Sequence, residues 1–375
     1  MIKIVAIANF YTDASWRVGL LDKREYPDTK TTVIIPSSVA RKNAHGYNKL
    51  LQDGFTTKHF KSIFNFHHSV RLYLPQLYIF LHHEKPDIIF VTNEPWSLTA
   101  FQIVLWCKIF LKKTKIIVYT SENQTRKYPL PFPLIEKFVL NNVDQVISVT
   151  EIEGIGILQK KGYSGKIVYM PLSVDTSLYK KLAIFDSIIK LKLPEGKIVL
   201  GFVGRLVKEK GIQTLIDALA LLGNNFHALI IGDGPYKNEL LNHAKLKNVF
   251  NNITFTGSIN YDDLPIYYNR MNVFVLPSLT TYNWKEQFGR VLIEAMACEV
   301  TVVGSSSGEI PTVIGDSGVV FNEGNADSLA NAVLKALKCS SEYAARGKER
   351  VQINFSKKVV DSITYKNYID LLKIK

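Results

Sequence analysis

Short runs rich in valine and isoleucine alternate with longer amphipathic stretches along the whole chain. The first series of apolar runs comprises Ile2–Ala8, Thr32–Ile35, Asp87–Thr92, Lys115–Tyr119, Gln145–Thr150 and Lys166–Tyr169. After a break, the second series comprises Ile198–Val203, Ala228–Ile231, Ile253–Thr256, Val273–Leu276, Thr301–Gly304 and Gly318–Phe321. Runs that are apolar on both faces are typical of parallel strands covered by helices, so each series predicts one doubly wound α/β sheet.

The break between the two series predicts a domain boundary within residues 170–194, which open with the turn-forming residues Met-Pro-Leu-Ser-Val-Asp. We therefore predict an N-terminal domain over residues 1–175 and a C-terminal domain over residues 190–355. Residues 356–375 are predicted to form a helix that Ser356 caps and that packs back toward the N-terminal domain. Its buried side is expected to carry Val359, Ile363, Tyr368 and Leu371–Leu372.

Composition narrows the class of protein. Hydrophobic residues make up 47% of the 375 positions and charged residues 21%, which suits two globular cores and excludes a mainly disordered or fibrous chain. The three cysteines, Cys107, Cys298 and Cys339, are odd in number and widely spaced. That spacing argues against a disulfide framework or a zinc site and fits a reducing cytoplasm.

Neither the N-terminus nor the longest apolar stretch resembles a targeting or membrane-spanning segment. The apolar opening residues run directly into Asn9 and Phe10 without a small-residue cleavage site, so they predict a buried strand. The stretch Leu98–Leu111 is interrupted by Gln102 and Lys108, and it is shorter than the roughly 18 apolar residues that a spanning helix needs. We expect a cytoplasmic chain that does not cross a membrane.

Charge is distributed unevenly along the chain, whose formal net charge is +13. Residues 1–190 carry 25 Lys and Arg against 15 Asp and Glu, whereas residues 191–375 carry 21 against 18. A basic face on the N-terminal domain suits an anionic partner such as lipid headgroups, nucleic acid or an acidic glycan. The alternative is a surface whose lysines are simply solvated.

The first segment with candidate functional residues follows the strand Ile198–Val203. Its sequence from Gly204 to Gly211 is Gly-Arg-Leu-Val-Lys-Glu-Lys-Gly. Gly204 allows a tight turn, and Arg205 and Lys210 project from the strand-to-helix loop. In an open α/β sheet that loop lies at the carboxyl edge, where ligands bind. Two cations there suit a diphosphate, although a loop with two solvated charges remains the alternative.

The second segment reads Glu-Gln-Phe-Gly-Arg-Val-Leu-Ile-Glu from Glu286 to Glu294. It predicts a helix that begins after Gly289, with backbone N–H groups and a positive dipole end that can seat a phosphate. The carboxylate of Glu294, one turn into the helix, can accept two hydrogen bonds from a ribose diol. Glu286, in the preceding loop, can face a sugar. The alternative is an amphipathic helix with two surface carboxylates.

Taken together, these segments resemble the donor site of retaining glycosyltransferases of family 4, which have the GT-B fold of two Rossmann-like domains that face a cleft. Three further segments between Gly201 and Leu337 fit the same pattern. They are Ile230-Ile-Gly-Asp-Gly-Pro235, Phe255-Thr-Gly-Ser258 and Ser307-Gly-Glu-Ile-Pro311. The fold expected from the resemblance is therefore α/β of the GT-B type.

The resemblance implies a role for each residue of the donor site. Arg205 and Lys210 would neutralise the departing nucleoside diphosphate, and Glu286 would contact the hydroxyls of the donor sugar; these three are the expected catalytic residues. Glu294 would hold the ribose. The remaining donor-binding positions are expected to touch base or phosphate, and they are Gly204, Ser258, Ile259, Phe288, Gly289, Arg290 and Val291.

No metal or other cofactor is expected. Some glycosyltransferases hold a metal with an Asp-x-Asp motif, and this chain contains none. Two cations and a helix end can stabilise the leaving diphosphate instead, as the family resemblance implies. The adjacent pairs His67-His68 and His82-His83 lack the spacing of a helical zinc site, so structural or surface histidines are expected.

The N-terminal half departs from the family pattern. Its first loop, Asn9–Leu21, contains only Gly19 where many members have a Gly-Gly pair, and Thr120-Ser-Glu-Asn stands where many have a histidine. Glu122, Asn123 and Glu94 therefore remain three alternative contacts on the acceptor side. Against each stands a strand-end turn whose polar side chains only satisfy backbone groups.

The resulting hypothesis is a glycosyltransferase that moves a hexosyl-type group from a UDP-, GDP- or ADP-sugar to a glycan or lipid-linked acceptor of cell-surface polysaccharide or lipopolysaccharide. The alternatives are a nucleotide-sugar epimerase of GT-B fold and a non-catalytic nucleotide-sugar-binding protein. No nucleic-acid partner is expected. Contact with the inner face of an anionic membrane is expected from a basic, aromatic stretch that contains Arg41, Lys42, Lys49, Phe55, Lys58, Phe60, Lys61, Phe64, Phe66 and Arg71.

Overall fold

The computed structural model describes residues 1–8, 19–40, 55–64, 70–183 and 193–373. They form two compact units, the first made of Met1–Leu172 with Val360–Lys375 and the second of Ser173–Val359. The predicted loop Asn9–Leu21 lies mostly outside the described residues, as do Arg41, Lys42, Lys49, Phe66 and the His67-His68 pair.

The first unit is built on a seven-stranded parallel sheet with the strand order β3-β2-β1-β6-β7-β8-β9. Its strands are β1 (Ile2–Ile7), β2 (Thr29–Pro36), β3 (Thr56–Phe60), β6 (Ile88–Val91), β7 (Lys115–Thr120), β8 (Gln145–Ser148) and β9 (Lys166–Tyr169). A small antiparallel pair is formed by β4 (Ser62–Ile63) and β5 (Leu72–Tyr73). The helices are α1 (Ser37–Ala40), α2 (Pro75–Glu84), α3 (Leu98–Phe110), α4 (Phe132–Asn142) and α5 (Glu153–Lys160).

One face of this sheet is covered by α2, α3 and α4, which share one apolar core with β1, β6 and β7. Aromatic contacts tie the helices in a row: Tyr78 packs on Trp106 at 5.0 Å between ring centroids, and Phe101 packs on Phe138 at 5.2 Å. The N-cap Ser97 accepts a hydrogen bond from the backbone of Ala100 and begins α3 directly after the loop that follows β6.

The second unit is built on a six-stranded parallel sheet with the order β12-β11-β10-β13-β14-β15. Its strands are β10 (Ile198–Val203), β11 (Phe226–Ile231), β12 (Ile253–Gly257), β13 (Val273–Leu276), β14 (Thr301–Ser305) and β15 (Gly318–Phe321). The helices are α6 (Ile212–Leu222), α7 (Lys237–Leu246), α8 (Leu264–Tyr268), α9 (Arg290–Ala297), α10 (Ile310–Ile314), α11 (Ala326–Lys338) and α12 (Ser340–Arg350). A π-helical turn, Val351–Phe355, follows α12.

Each apolar run of the sequence coincides with one strand to within a few residues, so the predicted α/β class with two parallel sheets is confirmed. In the second unit the chain order reverses at β10, which pairs with β11 on one side and β13 on the other. Such a switch point leaves a crevice at the carboxyl ends of the two central strands, where ligands bind in open α/β sheets.

The last helix, α13 (Lys357–Lys373), belongs to the first unit from Val360 onward. The hydroxyl of Tyr368 donates to the carbonyl of Gly19 at 2.7 Å, and Thr364 contacts Met170. The prediction that Tyr368 and Leu371 face inward is confirmed, whereas that for Val359 and Ile363 is wrong by one position. Val360, Thr364, Tyr368 and Leu371 are buried, whereas Ile363 is 40% exposed.

The stretch expected to meet a membrane is only partly available for that role. Arg71 and Phe55 are buried, at 4% and 6% exposure, and Phe60 packs against Phe80 and the core of the first unit. The interpretation of Arg71 as a surface cation is therefore wrong, as is that of Phe55 as a surface aromatic. Lys58, Lys61 and Phe64 are exposed.

Candidate donor site

Two loops meet at the switch point of the second unit, one after β10 (residues 204–211) and one after β13 (residues 277–289). The backbone N–H of Leu279 donates to the carbonyl of Glu209 at 2.8 Å. Gly211 has φ +64°, and a Cβ atom there would lie 1.9 Å from the carbonyl oxygen of Pro277. Only glycine therefore allows the two loops to approach so closely.

This approach brings together Lys210 and Glu286, which lie 76 residues apart in the sequence. The Nζ atom of Lys210 donates to Oε2 of Glu286 at 2.6 Å, and the hydroxyl of Ser278 donates to the same oxygen at 2.7 Å. The ammonium also lies 5.0 Å from the ring centroid of Trp284. The side chain of Lys210 is 21% exposed, whereas that of Glu286 is nearly buried, at 10%.

A third loop, which follows β14, holds the backbone of Glu286. Gly308 has φ +55°, and a Cβ atom there would lie 1.9 Å from the carbonyl oxygen of Glu286. The N–H of Glu309 donates to that oxygen at 3.2 Å, and the hydroxyls of Thr280 and Ser307 lie 3.1 Å apart. Three strand ends thus fix the position of one carboxylate.

Arg205 is exposed at the beginning of the first loop. Its neighbour Leu206 donates a backbone hydrogen bond to Asp233 at 3.0 Å, which ties the loop to the one after β11. The guanidinium therefore extends from an anchored backbone into solvent at the same edge as Lys210.

The helix α9 begins beside these cations. Gly289 caps it with φ +80°, and a Cβ atom there would lie 2.9 Å from a methyl group of Leu276. Phe288 is buried edge-to-face against Phe355 at 5.7 Å and anchors the helix start. Arg290 and Val291 are half-buried, whereas the following residues are buried, so the first turn presents its N–H groups and positive dipole end at the sheet edge.

Glu294 is completely buried. Its Oε2 atom accepts a hydrogen bond from the hydroxyl of Tyr268 at 2.8 Å, and Oε1 lies 2.9 Å from Nε of Arg290. Burial, followed by the charge of Glu294, raises the pKa of Tyr268 well above its ordinary value. In this structure the carboxylate thus faces two side chains of its own unit, and a ribose diol would have to replace Arg290 at Oε1.

The loop after β12 reaches the same helix start. Ser258 is exposed and Ile259 half-buried, and the guanidinium of Arg290 lies 5.1 Å from the ring centroid of Tyr261. The contact between Arg290 and Tyr261 thus joins the 258–261 loop to the start of α9, which directly follows the loop that pairs Glu286 with Lys210.

In the first unit, Glu94 joins two strand ends. One carboxylate oxygen accepts from the hydroxyl of Thr120 at 2.5 Å, and the other accepts from the backbone N–H and hydroxyl of Ser121, both at 2.9 Å. Burial raises the pKa of Glu94, although these hydrogen bonds oppose the shift. Its contacts are those of a strand-end turn that satisfies polar groups.

Glu122 belongs to a buried ionic cluster. It pairs with Lys161, whose Nζ also donates to Glu136 at 2.7 Å. Burial raises the pKa of Glu122 to about 7, even though Lys161 lowers it. Asn123 is buried next to this cluster, at 4% exposure.

Several partners in these sites were not identified from the sequence. Ser278 donates to Glu286, Trp284 lies next to the ammonium of Lys210, and Arg290, expected only as a donor-binding residue, pairs with Glu294. In the first unit, Lys161 pairs with both Glu122 and Glu136. Only Trp284, an aromatic residue just before Glu286 in a loop, offered a local signal.

The described residues contain neither a cluster of metal-ligating side chains nor a membrane-spanning helix. Within residues 1–8, 19–40, 55–64, 70–183 and 193–373, no group of three or more His, Cys, Asp or Glu side chains could hold a metal ion. No helix in these ranges is long and apolar enough to span a bilayer. His82 and His83 are both exposed on α2.

Comparison with known proteins agrees with the fold. Residues 184–352 match the family model described as Glycosyl transferases group 1. The capsular polysaccharide biosynthesis glycosyltransferase CapM of Staphylococcus aureus is 33% identical over 178 residues, which cover 45% of this chain and 45% of CapM. The match thus spans about half the length of that relative.

Solved structures extend the likeness to the whole chain. A glycosyltransferase from Rickettsia africae ESF-5 superimposes with a TM-score of 0.80 at 16% identity and covers 100% of this chain and 99% of its own. Anabaena Alr3699/HepE, solved in complex with UDP and glucose, gives a TM-score of 0.75 at 17% identity and covers 99% and 100%. The chain therefore has the GT-B fold.

Proposed function

We propose that this chain is a retaining glycosyltransferase of family 4 that transfers a hexosyl-type group from a nucleoside-diphosphate sugar. The acceptor is a glycan or a lipid-linked glycan of cell-surface polysaccharide or lipopolysaccharide. The glycosyl transferases group 1 match covers the whole second unit except its ends, and the donor-site residues all fall within it.

One observation carries this proposal: the cations, the carboxylates and a helix N-terminus converge at the switch point between β10 and β13. Lys210 is held 2.6 Å from Glu286, and Arg205 extends from the same loop. A nucleoside diphosphate needs cationic partners, a sugar needs hydrogen-bond acceptors, and this edge supplies both.

The arrangement can stabilise the charge that develops as the donor reacts. When the bond between the anomeric carbon and the diphosphate breaks, Arg205, Lys210 and the first turn of α9 neutralise the leaving group. The acceptor oxygen forms the new bond on the same face of the sugar, and its proton passes to the departing phosphate oxygen. Glu286 accepts hydrogen bonds from sugar hydroxyls, and Glu294 from the ribose once Arg290 moves aside.

The proposed reaction uses no metal, because the two cations and the helix end occupy the positions from which they can offset the diphosphate charge. On the acceptor side, Glu94, Glu122 and Asn123 lie at the ends of neighbouring strands β6 and β7 of the first unit. We place the enzyme at the inner face of the membrane, where lipid-linked acceptors are presented. The name of CapM, a capsular polysaccharide enzyme, supports a surface glycan as the product class.

Calorimetry with UDP-, GDP- and ADP-sugars in EDTA tests the proposal. One donor should bind in the chelator, and Lys210→Ala should weaken binding or slow turnover of that donor. Lys208→Ala, an exposed lysine in the same loop, is the matched control and should behave like wild type. Binding that collapses in EDTA and returns with manganese would contradict metal independence.

Turnover separates the proposal from its rivals. Release of the nucleoside diphosphate with transfer of the sugar to an acceptor or to water supports a glycosyltransferase. Conversion of the donor to a stereoisomer would indicate an epimerase, and binding without any turnover would indicate a non-catalytic protein. The anomeric configuration of the product, read by NMR, tests retention.

A further inference from the structure

The outer surface of α3 and α4 in the first unit combines exposed apolar side chains with cations. Large apolar side chains are exposed at Leu105 (38%), Ile109 (52%), Leu130 (75%) and Leu134 (63%). Exposed lysines lie among them, at Lys108, Lys112, Lys113, Lys127 and Lys137. We call this surface the α3–α4 face. Exposed apolar clusters of this kind mark interaction sites in soluble domains.

The two helices present these residues on one side. In α3 the buried positions are Ile103, Val104 and Cys107, while Leu105, Lys108 and Ile109 follow the spacing of the opposite, outer stripe. In α4, Ile135 and Val139 are buried, and Leu134 and Lys137 lie on the outer stripe. The helices are neighbours through Phe101 and Phe138. Both return from carboxyl strand ends, so they run side by side.

The electrostatics of the α3–α4 face are one-sided. Between residues 95 and 143, all of which the structure describes, the only acidic residues are Glu122 and Glu136. Both are paired with Lys161, and their side chains are only 8% and 12% exposed. Neither acidic residue of this segment is therefore exposed among its lysines.

We propose that the α3–α4 face docks the protein on an anionic lipid bilayer. Helices lying in the membrane plane bury apolar side chains at the boundary of the headgroups, and lysines around them meet lipid phosphates. A second copy of the chain is disfavoured as the occupant, because two identical cationic faces would repel each other. This surface is distinct from the basic stretch of residues 41–71, in which Arg71 is buried.

The proposal goes beyond the donor chemistry and is tested with the full chain by sedimentation with vesicles. Wild type should pellet with vesicles containing phosphatidylglycerol and stay in solution with phosphatidylcholine alone. Binding should fall between 0.1 and 1 M salt, because the Debye length shrinks from about 10 Å to 3 Å. Binding without anionic lipid, or no binding at all, would overturn the proposal.

Charge reversal on the α3–α4 face should strongly weaken vesicle binding. Lys108→Glu with Lys112→Glu should lower the partition coefficient at least about twentyfold, because each cation near the surface contributes roughly a factor of five. The matched control is Lys335→Glu with Lys338→Glu on α11, two exposed lysines of the second unit. The control should bind like wild type. Equal losses in both variants would mean that only net charge matters and would refute the assigned face.

An uncharged variant tests the apolar contribution. Ile109→Asn should weaken vesicle binding several-fold, while Leu334→Asn, at a 44% exposed position on α11, should leave it unchanged. Light scattering without lipid tests for self-association. If wild type is a dimer and Ile109→Asn is a monomer, the face is a protein interface and the docking proposal is wrong.

Donor binding in lipid-free buffer distinguishes this inference from the proposed function. Lys108→Glu with Lys112→Glu should bind the donor sugar as wild type does, because neither residue lies in the donor site. Vesicle binding without any donor binding would sustain the docking face and refute the glycosyltransferase assignment. Donor binding without vesicle binding would refute only the docking face.

Discussion

Replacing Lys210 by methionine removes one charge from the centre of the donor site while keeping the length of the side chain. The change removes the cation beside the carboxylate of Glu286, which is 10% exposed, while the hydroxyl of Ser278 still donates to that carboxylate at 2.7 Å. Breaking a fully buried ion pair costs about 3–5 kcal/mol, and exposed pairs contribute about 0–1 kcal/mol. For this half-buried pair we expect a loss of about 2–3 kcal/mol in the free energy of unfolding.

The catalytic loss should be separable from that structural loss. Removing one preorganised group that stabilises developing charge costs on the order of 2–4 kcal/mol, or roughly 30- to 1000-fold in rate. Because the charge of Lys210 matters most as the diphosphate departs, kcat should fall more than donor affinity. The release of nucleoside diphosphate from the preferred donor measures kcat. Calorimetry measures donor affinity.

The double variant Lys210→Met with Glu286→Gln isolates the two effects. It removes the carboxylate charge together with the ammonium, so its unfolding free energy in urea should return to within about 1 kcal/mol of wild type. Its turnover should remain as low as that of Lys210→Met or lower. Lys208→Met in the same loop controls for loss of a lysine. Wild-type turnover in Lys210→Met would refute the phosphate assignment, and a stability loss that Glu286→Gln fails to restore would refute the ion-pair argument.

Three further changes test other parts of the structure. Gly289→Ala should cost about 1–3 kcal/mol in urea unfolding and weaken donor binding, because of its φ of +80° and the crowded Cβ position; Gly196→Ala, with φ +71° and open space, should lose less. Tyr268→Phe removes the hydroxyl that donates a hydrogen bond to buried Glu294 at 2.8 Å, so it should lower the unfolding free energy by about 1–3 kcal/mol. An unchanged melting temperature would contradict this. Burial raises the pKa of Glu122 from 4.5 to about 7, so wild type should lose up to about 3 kcal/mol of stability as pH rises through that window, whereas Glu122→Gln should lack this loss when unfolding is compared at pH 5 and pH 8.

The strands were predictable because their sequences carry strong local signals. Val273–Leu276 and Ile88–Val91 are apolar on both faces, which is typical of a strand buried between two layers of helices. The edge strand β3 was missed because Thr-Thr-Lys-His-Phe is mostly polar and exposed and has no apolar run. The tail helix was placed correctly, but Val360 rather than Val359 faces inward. The two adjacent valines fit the apolar pattern equally well, so the pattern alone does not decide which of them is buried.

For the candidate donor site, the sequence predicted that residues at neighbouring strand ends would lie at one sheet edge, but it did not predict their contacts. Arg205, Lys210 and Glu286 follow strand ends, and parallel strands bring their carboxyl ends to one edge. The pairing of Lys210 with Glu286 depends on close loop approaches at Gly211 and Gly308, which no local pattern encodes. Long-range partners were missed for the same reason: Lys161 reaches Glu122 across 39 residues.

A crystal structure of the chain with UDP tests the central claim most directly. The account predicts that the diphosphate lies at the carboxyl ends of β10 and β13, with its oxygens at about 2.7–3.2 Å from donors of Arg205, Lys210 or the first turn of α9. The ribose should hydrogen-bond to Glu294, with Arg290 displaced from Oε1. A nucleotide bound away from this edge, or bound here with the Lys210–Glu286 pair and Arg290 unmoved and contacting neither phosphate nor ribose, would contradict it.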